Sequence, residues 1–390
     1  IFFGLVLILL LVIVFRITAE RGFRSSLRES NYKYKIAHWL QQIAYTRFSF
    51  KMAGTPSYLM YRTDQYLVEY LSSRNEHFKI LKQQYLYLIG FKALIAMALL
   101  VIGGVLVINQ TMNIGQFVAA EIIILLILSS VEKLIVSLET VYDLFTAIEK
   151  IGQVTDLPLE DKEGMDIPHS ELGFEIDFHN IRYENDLTSQ TLLEGATFSI
   201  NPNARAIFRT DNTVSTNLIF GLIAGIYNPK EGSLSINNIP LGNLNRTFLR
   251  NRIGNMLTQD LLVHATVLEN ITLGRDYVTF GEVQTLCDRL MLSKQIQHLK
   301  EGYDTLLNPE GHFLAKDCIR KILIARALVG SPKLILLEEP LQDIKVDERD
   351  AILNVILSPE NTTILIQTDD ELIINRATNC ITITQGNILH

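Results

Sequence analysis

Residues 206–218, AIFRTDNTVSTNL, lie where a phosphate-binding loop is expected. The preceding TLLEGATFSINPNA is typical of a strand and a turn, and the following LIFGLIAGIYNPKEG is typical of a helix that ends in a loop. Between such elements a P-loop has the pattern GxxxxGK[ST], in which glycines let backbone N–H groups approach phosphate and lysine neutralises it. The sequence therefore has the frame of a P-loop, and its chemistry depends on the residues within that frame.

The phosphate-holding residues of the pattern are replaced in this chain. Larger side chains stand at the three glycine positions, namely Phe208, Asp211 and Thr213. Val214 stands at the lysine position, and only Ser215 and Thr216 keep the hydroxyls of the pattern. Two unit charges about 4 Å apart at an effective dielectric constant near 20 interact by about 4 kcal/mol. Loss of the lysine removes attraction of that order and Asp211 adds repulsion, so we expect phosphate affinity to fall by several orders of magnitude.

Two carboxylates follow an apolar strand pattern further along the chain. The segment KLILLEEP ends its apolar run at Glu338 and Glu339. In P-loop proteins Mg²⁺ takes a hydroxyl and a carboxylate, and a second carboxylate orients water. We therefore interpret Ser215 and Glu338 as candidate metal ligands and Glu339 as the candidate catalytic base. The order of strand, loop, helix and later acidic strand end predicts an α/β domain of P-loop type.

Composition bounds the function classes. With 390 residues the chain has room for two or three domains, and its 48% apolar content is high for a soluble protein. The net charge of −7, without a basic stripe that carries interleaved aromatic residues, gives no case for nucleic acid as a partner. Three scattered cysteines and eight histidines without metal-ligand spacing predict neither a disulfide framework nor a zinc site.

The apolar excess is concentrated before residue 150 and predicts membrane spans. Residues 84–108 and 114–138 are each long enough to cross hydrocarbon, for which about 20 residues are needed. Residues 1–15 form a shorter uncharged run without an initial methionine, so we expect a chain that begins inside a membrane helix, with earlier spans missing. Basic residues are frequent just after the first run, which favours a cytoplasmic position for 16–83 and for the region after residue 140.

The segment 16–83 predicts two long helices that form a cytoplasmic hairpin. Proline lacks an N–H and restricts the residue before it, so Gly54-Thr55-Pro56 should interrupt the helical pattern at a real turn. Within the spans, Lys92 and Glu132 are expected at nearly the same depth and could pair. Alternatively, the acidic residues of the last span line a transport path, or the charges extend to the membrane interface.

The order of elements resembles an ATP-binding cassette (ABC) exporter in which six spans are fused to one nucleotide-binding domain. The resemblance covers essentially the whole chain. FLRNRIGNMLTQDLLVHATVLENITLG is similar to the glutamine-loop region, with Gln259 at the residue that links the metal-water site to the membrane domain. GYDTLLNPEG and IRKILIARALVGSPKLILLEE resemble the segment before the signature and the signature helix that leads into the acidic strand.

This resemblance implies an α-helical transmembrane bundle of the type I exporter kind plus an α/β P-loop NTPase-like nucleotide-binding domain. The implied organisation is a partial transmembrane domain with its hairpin at 1–155, a linker at 156–173 and a nucleotide-binding domain at 174–390. ATP and Mg²⁺ are the implied cofactors. Their implied contacts in this chain are Asp211, Val214, Ser215, Thr216, Gln259 and Tyr183 for the nucleotide and Ser215, Gln259 and Glu338 for the metal.

Further departures concern groups that face phosphate. The family's LSGGQ signature is LAKDC here, so the residue expected to meet the γ-phosphate held by the partner subunit is Asp317 instead of glycine. Lys345 aligns with the family's aspartate after the acidic strand, and Asp369 or its neighbour Thr368 aligns with the switch histidine. Other replacements are Glu338 for the usual aspartate and Asn185 for the aromatic that stacks on adenine, which Tyr183 could replace.

The resemblance implies ATP-driven export by an integral membrane protein whose nucleotide-binding domain is cytoplasmic. The implied partners are membrane lipid and a second half-transporter, in a homodimer or a heterodimer, and the implied cargo is amphipathic, peptide or lipid-like. Because the P-loop and the signature are both altered, ATP hydrolysis by this chain is left open. The alternatives are a non-transporting membrane scaffold or regulatory pseudo-transporter and a weak ATPase.

Overall fold

The structure is a computed structural model, and it describes residues 2–160, 164–168, 170–185, 190–210, 213–257, 261–309, 314–384 and 387–389. Side chains are not described for residues 2–19, 131, 134–136, 210, 213–216, 383–384 and 387–389. The chain divides into two compact units, Ile1–Leu159 and Glu160–His390. The first unit is helical and the second is mixed α/β.

The helical unit follows the predicted hairpin. Its helices are α1 (Phe2–Tyr45), α2 (Arg47–Ala53), α3 (Pro56–Ile108), α4 (Ile114–Val136) and α5 (Leu138–Thr155). The predicted interruption is confirmed: α2 ends before Gly54, which has a left-handed φ of 62°, and α3 begins at Pro56. Glycine reaches this conformation without steric strain, and proline at the first helical position loses no intrahelical hydrogen bond.

Among the residues described, α3 is long and apolar enough to cross a membrane, and its most apolar window has a mean hydropathy of 2.6. It contains the predicted span 84–108. A shorter apolar stretch, Ile114–Ser130, lies in α4. The predicted pairing of Lys92 with Glu132 is confirmed, because the ammonium of Lys92 contacts the Glu132 carboxylate between α3 and α4. The spans predicted at 1–15 and 114–138 stay predictions.

The α/β unit contains two sheets. Its strands are β1 (Ile176–Glu184), β2 (Thr191–Ile200), β3 (Arg205–Thr210), β4 (Glu231–Ile236), β5 (Ile239–Pro240), β6 (Ile253–Met256), β7 (Leu334–Glu338), β8 (Thr363–Gln367), β9 (Asn379–Thr384) and β10 (Asn387–Leu389). The smaller sheet is antiparallel, with the order β2-β1-β4-β5, and the larger has the order β10-β9-β3-β8-β7-β6. Strands β9, β3, β8, β7 and β6 are mutually parallel.

Helices contribute to two hydrophobic cores that meet at the larger sheet. They are α6 (Thr213–Ile223), α7 (Arg246–Arg250), α8 (Val267–Thr272), α9 (Phe280–Arg289), α10 (Ser293–Gln297), α11 (Lys316–Leu328), α12 (Arg349–Leu357) and α13 (Glu371–Ile374). Helices α6 and α7 contribute to the core shared with the smaller sheet, and the later helices contribute to the other. Strand β7 shows how two cores meet at the sheet. Leu334 and Leu336 pack with the smaller sheet, whereas Ile335 and Leu337 pack with the helical core that contains α11. A strand that is buried on both faces is apolar without alternation, as KLILLEEP is.

The sheet order brings the candidate site together. Strands β3, β8 and β7 are parallel neighbours, so their carboxyl ends lie at the same edge of the sheet. In open α/β sheets, ligands bind outside the carboxyl ends of the strands. The start of α6, the two carboxylates after β7 and the residues after β8 therefore meet at one edge.

Within the predicted linker 156–173, Glu160 and Met165 are hydrogen-bonded to the α/β unit, whereas residues 156–159 belong to the helical unit. The backbone N–H of Met165 donates to the Asn243 carbonyl at 2.7 Å, and the N–H of Asn245 donates to the Met165 carbonyl at 3.0 Å. Glu160 accepts two hydrogen bonds of 2.6 Å from the Arg250 guanidinium. This bidentate pair holds the pKa of Glu160 at about 2. The boundaries predicted for the three segments stay predictions.

Candidate functional site

The P-loop frame is present as strand and helix, and the connection between them is short. Strand β3 pairs with β9 as far as Thr210, and α6 begins at Thr213. Phe208, at the first glycine position, is fully buried and packs edge-on against Phe198 and Phe220, each with a ring-centroid separation of 5.8 Å. The first position of the pattern therefore belongs to the hydrophobic core, and strand pairing continues through two residues that follow it.

Several of the predicted nucleotide and metal contacts involve residues or side chains that the structure does not describe. Asp211 and Gln259 are outside the described residues. Val214, Ser215 and Thr216 lie in the first turn of α6, but their side chains are not described. Their roles in holding nucleotide or metal stay predictions.

Glu338 is the last residue of β7, and its side chain is 2% exposed. The amide of Asn217, in the first part of α6, faces this carboxylate. In the orientation that satisfies both groups, its nitrogen donates to Oε2 at 2.9 Å and to Oε1 at 3.1 Å. A buried carboxylate needs such donors, because an unpaired buried charge is strongly unfavourable. Asn217 therefore occupies both oxygens of the predicted metal ligand, and sequence reasoning missed it.

Glu339 follows the strand in a left-handed conformation with φ of 45°. Its Oε2 accepts a 2.9 Å hydrogen bond from the Thr368 hydroxyl, and its Oε1 accepts a 3.3 Å hydrogen bond from the Asp369 backbone N–H. Burial raises the pKa of Glu339 above its ordinary value of 4.5, and these two hydrogen bonds partly oppose the rise. Both residues predicted at the switch-histidine position therefore contact the candidate base, Thr368 through its side chain and Asp369 through its backbone.

Tyr183, predicted to replace the adenine-stacking aromatic, lies near the end of β1. Its ring packs against Tyr227, with ring centroids 5.8 Å apart and planes tilted by 58°. An adenine stacked on Tyr183 would have to use the face that Tyr227 leaves open. The structure thus places an aromatic pair at this position, and the stacking role stays a prediction.

The expectation that the Asp317 carboxylate faces a phosphate of the partner subunit is wrong. Asp317 lies in the first turn of α11 and is only 7% exposed. Its Oδ2 accepts a 2.9 Å hydrogen bond from Gln295 and lies 3.9 Å from the ammonium groups of both Lys321 and Lys345. The carboxylate points into the domain because the Gln295 amide and the two lysine ammonium groups stabilise it there.

Both carboxylates at the sheet edge are hydrogen-bonded to groups of the chain itself. Each oxygen of Glu338 accepts one hydrogen bond from the Asn217 amide, which would compete with a metal ion for this carboxylate. Glu339 is likewise hydrogen-bonded through both oxygens. In the part of the chain that the structure describes, no cluster of three or more His, Cys, Asp or Glu side chains could hold a metal ion.

Residues 193–342 match the family of ABC transporters. This segment runs from β2 to the loop after β7 and so contains both the altered P-loop and the two carboxylates. Over this segment the chain is similar to ABC transporters. Domains of this family bind ATP, and Mg²⁺ is typical of their sites.

Relatives of this chain include translocation proteins for bacterial toxins. It is 26% identical over 267 residues to the alpha-hemolysin translocation ATP-binding protein HlyB of Escherichia coli O157:H7, a match that covers 68% of this chain and 37% of that protein. It is 25% identical over 291 residues to the leukotoxin export ATP-binding protein LtxB of Aggregatibacter actinomycetemcomitans, which covers 74% of this chain and 41% of the relative. The match thus spans about two-fifths of the relatives' length.

The fold extends beyond the matched segment. A solved structure titled as a bacterial Atm1-family ABC exporter with ATP bound superimposes with a TM-score of 0.82. At 18% identity the alignment covers 99% of this chain and 68% of that one. The fold class predicted from the sequence is therefore confirmed: an exporter-type helical bundle and a P-loop NTPase-like α/β domain.

Proposed function

We propose that this chain is part of an ABC exporter subunit that moves an amphipathic, peptide or lipid-like substrate across a membrane, and that its own ATP site is impaired. The observation that carries the exporter assignment is the fold, which follows an exporter through both the helical and the α/β unit. The names of the toxin-translocating relatives favour the peptide class among the three. By the same likeness, the helical unit lies in the membrane and the α/β unit in the cytoplasm.

The site geometry supports impaired ATP binding. Phe208 fills the first glycine position with a buried ring, and Asn217 occupies the carboxylate at which magnesium would bind. The sequence adds valine at the lysine position. ATP would have to bind without the lysine attraction, and its magnesium would have to compete with the Asn217 amide for the Glu338 carboxylate.

A second half-transporter is the partner in this proposal. In such pairs each ATP lies between the P-loop of one subunit and the signature of the other. In this chain both the P-loop and the signature are altered. A partner with intact motifs would therefore supply an intact signature to one site and an intact P-loop to the other, and neither site would have both. The same reasoning favours the second candidate function, a scaffold or regulatory subunit that keeps the fold for assembly without transport.

Hydrolysis tests the impaired site. The chain in detergent or lipid should not hydrolyse ATP at a rate typical of enzymes. Magnesium-dependent turnover above about 1 s⁻¹, abolished by Glu339→Gln, would contradict the proposal. Recovery of an intact half-transporter with the chain after co-expression, together with substrate movement into vesicles, separates transport from the scaffold role. Recovery without movement favours the scaffold.

The domain boundaries are part of the proposal. We place the partial transmembrane domain at 1–155, the linker at 156–173 and the nucleotide-binding domain at 174–390. Limited proteolysis should cut first between residues 156 and 163 and spare 164–173, because Met165 is held by two backbone hydrogen bonds. Early cleavage within 164–173 would move the boundary.

A further inference from the structure

The signature segment, residues 314–318, begins a helix whose first turn carries a buried carboxylate. Ala315 is the N-cap of α11 and offers no side-chain cap. Asp317 stands two residues later, where a negative charge is favourable near the positive end of the helix. Its carboxylate is 8% exposed and is approached from outside α11 by Gln295 of α10 and by Lys345 of the loop after β7. The first turn of α11 is therefore linked by these contacts to α10 and to the loop after β7.

The same loop also receives cations from α11. Lys321, one turn after Asp317, is completely buried and donates to the Glu348 carboxylate at 2.6 Å. Arg320, 15% exposed, lies 3.8 Å from Asp343. The helix α11 thus contributes an anion that pairs with a loop cation, and it also contributes cations that pair with loop anions.

The six groups in these contacts balance in charge, and their exposure ranges from the completely buried Lys321 to the 59% exposed Lys345. They are three anions and three cations, so their charges sum to zero; loop 342–348 also contains Asp347. A buried ion pair is tolerated when its geometry is good and its remaining donors and acceptors are satisfied, but removal of one partner leaves an uncompensated buried charge. Lys321 is the member for which this matters most, because it has no exposed surface.

We propose that Asp317, Lys321, Lys345 and Glu348 form an internal clamp that holds the signature segment and loop 342–348 as one rigid body. The two segments open together or remain closed together. Asp317 and Lys345 both replace residues of the ABC transporter pattern, and their carboxylate and ammonium groups lie 3.9 Å apart. The clamp is therefore built in part from residues that differ from that pattern.

Hydrogen–deuterium exchange on the full chain, without nucleotide, tests the clamp. Glu348→Gln and Lys321→Met each remove one buried partner. Each should speed exchange by about tenfold or more in peptides that cover 316–328 and in peptides that cover 342–348, because subglobal opening moves contiguous units together. The control is Lys316→Gln, an exposed lysine on the same helical turn as Asp317, which should leave both peptides unchanged.

The double variant Lys321→Met/Glu348→Gln gives the sharper result. Because Lys321 and Glu348 are in direct contact, the double variant should exchange no faster than the faster single variant, whereas independent groups would give additive effects. Acceleration of only one of the two peptides, or additive effects in the double variant, would overturn the proposal. Glu348→Gln is the mildest change and keeps the test open should Lys321→Met fail to fold.

Discussion

The pairing of Asn217 with Glu338 predicts a large effect of a small substitution. Asn217→Leu keeps the side-chain size close to that of asparagine and removes the amide that donates to both oxygens of a carboxylate that is 2% exposed. Hydrogen bonds to charged groups contribute about 1.5–3 kcal/mol, and a buried acceptor left unsatisfied costs more when it is charged. We expect a loss of about 3 kcal/mol in the free energy of unfolding of the α/β unit.

The thermal midpoint should fall accordingly. For a domain of 150–250 residues, 1 kcal/mol shifts Tm by about 2–4 °C, so the variant should unfold about 6–12 °C below the parent. The only tryptophan, Trp39, lies in the helical unit and does not report on this transition. A thiol-reactive dye does, because Cys287 and Cys318 are buried in the α/β unit, provided that exposed Cys380 is first replaced by serine.

A matched control and a cycle complete the experiment. Asn354→Leu makes the same chemical change at an exposed helical position, and it should shift the unfolding free energy by less than about 0.5 kcal/mol. Asn217→Leu combined with Glu338→Leu should recover most of the stability, because both polar partners are then replaced by apolar groups. A midpoint for Asn217→Leu within 1–2 °C of the parent (about 0.5 kcal/mol), or additive single effects, would refute the reasoning.

Two further predictions concern titratable groups of the α/β unit. Burial raises the pKa of Glu339 in the folded state, so the stability of the parent should fall as pH rises through that pKa. Glu339→Gln cannot ionise, so its thermal midpoint should rise relative to that of the parent between pH 4.5 and neutrality. A pH-independent difference would contradict this. The Arg250 guanidinium lowers the pKa of Glu160 to about 2. Glu160→Gln should therefore lower the free energy of unfolding by less than about 1 kcal/mol at pH 7. This difference should vanish as pH falls toward 2 or as the salt concentration rises. Equal effects in low and high salt would exclude the ion pair as the cause.

The frame of the fold could be predicted from local patterns. Apolar strands, the glycine and proline at 54–56 and the helical periodicity around them depend on neighbours in sequence, and the structure places elements at these positions. The Lys92–Glu132 pair is a longer-range success, since equal depth in two antiparallel spans follows from helix rise alone.

The partners of the altered site residues could not be predicted in the same way. Asn217 directly follows the P-loop pattern, but nothing in the sequence shows that its amide reaches a carboxylate 121 positions later, because that contact depends on β3 and β7 lying on either side of β8. Asp317 was expected to face outward because its position was read from the family pattern alone. Its true direction depends on Gln295 and Lys345, which reach it from two other elements.

These contacts bear on what would restore phosphate binding. Asp211→Gly, Thr213→Gly and Val214→Lys return the loop to its pattern, and they should recover some ATP affinity if the defect lies in the loop alone. Magnesium dependence should not return with them, because the Asn217 amide still occupies the carboxylate of Glu338. Adding Asn217→Leu to the triple variant should therefore make ATP binding magnesium-dependent, which isothermal titration with and without the metal would measure. If the triple variant already binds ATP more tightly with magnesium than without it, the amide does not block the site, and the defect is confined to the loop.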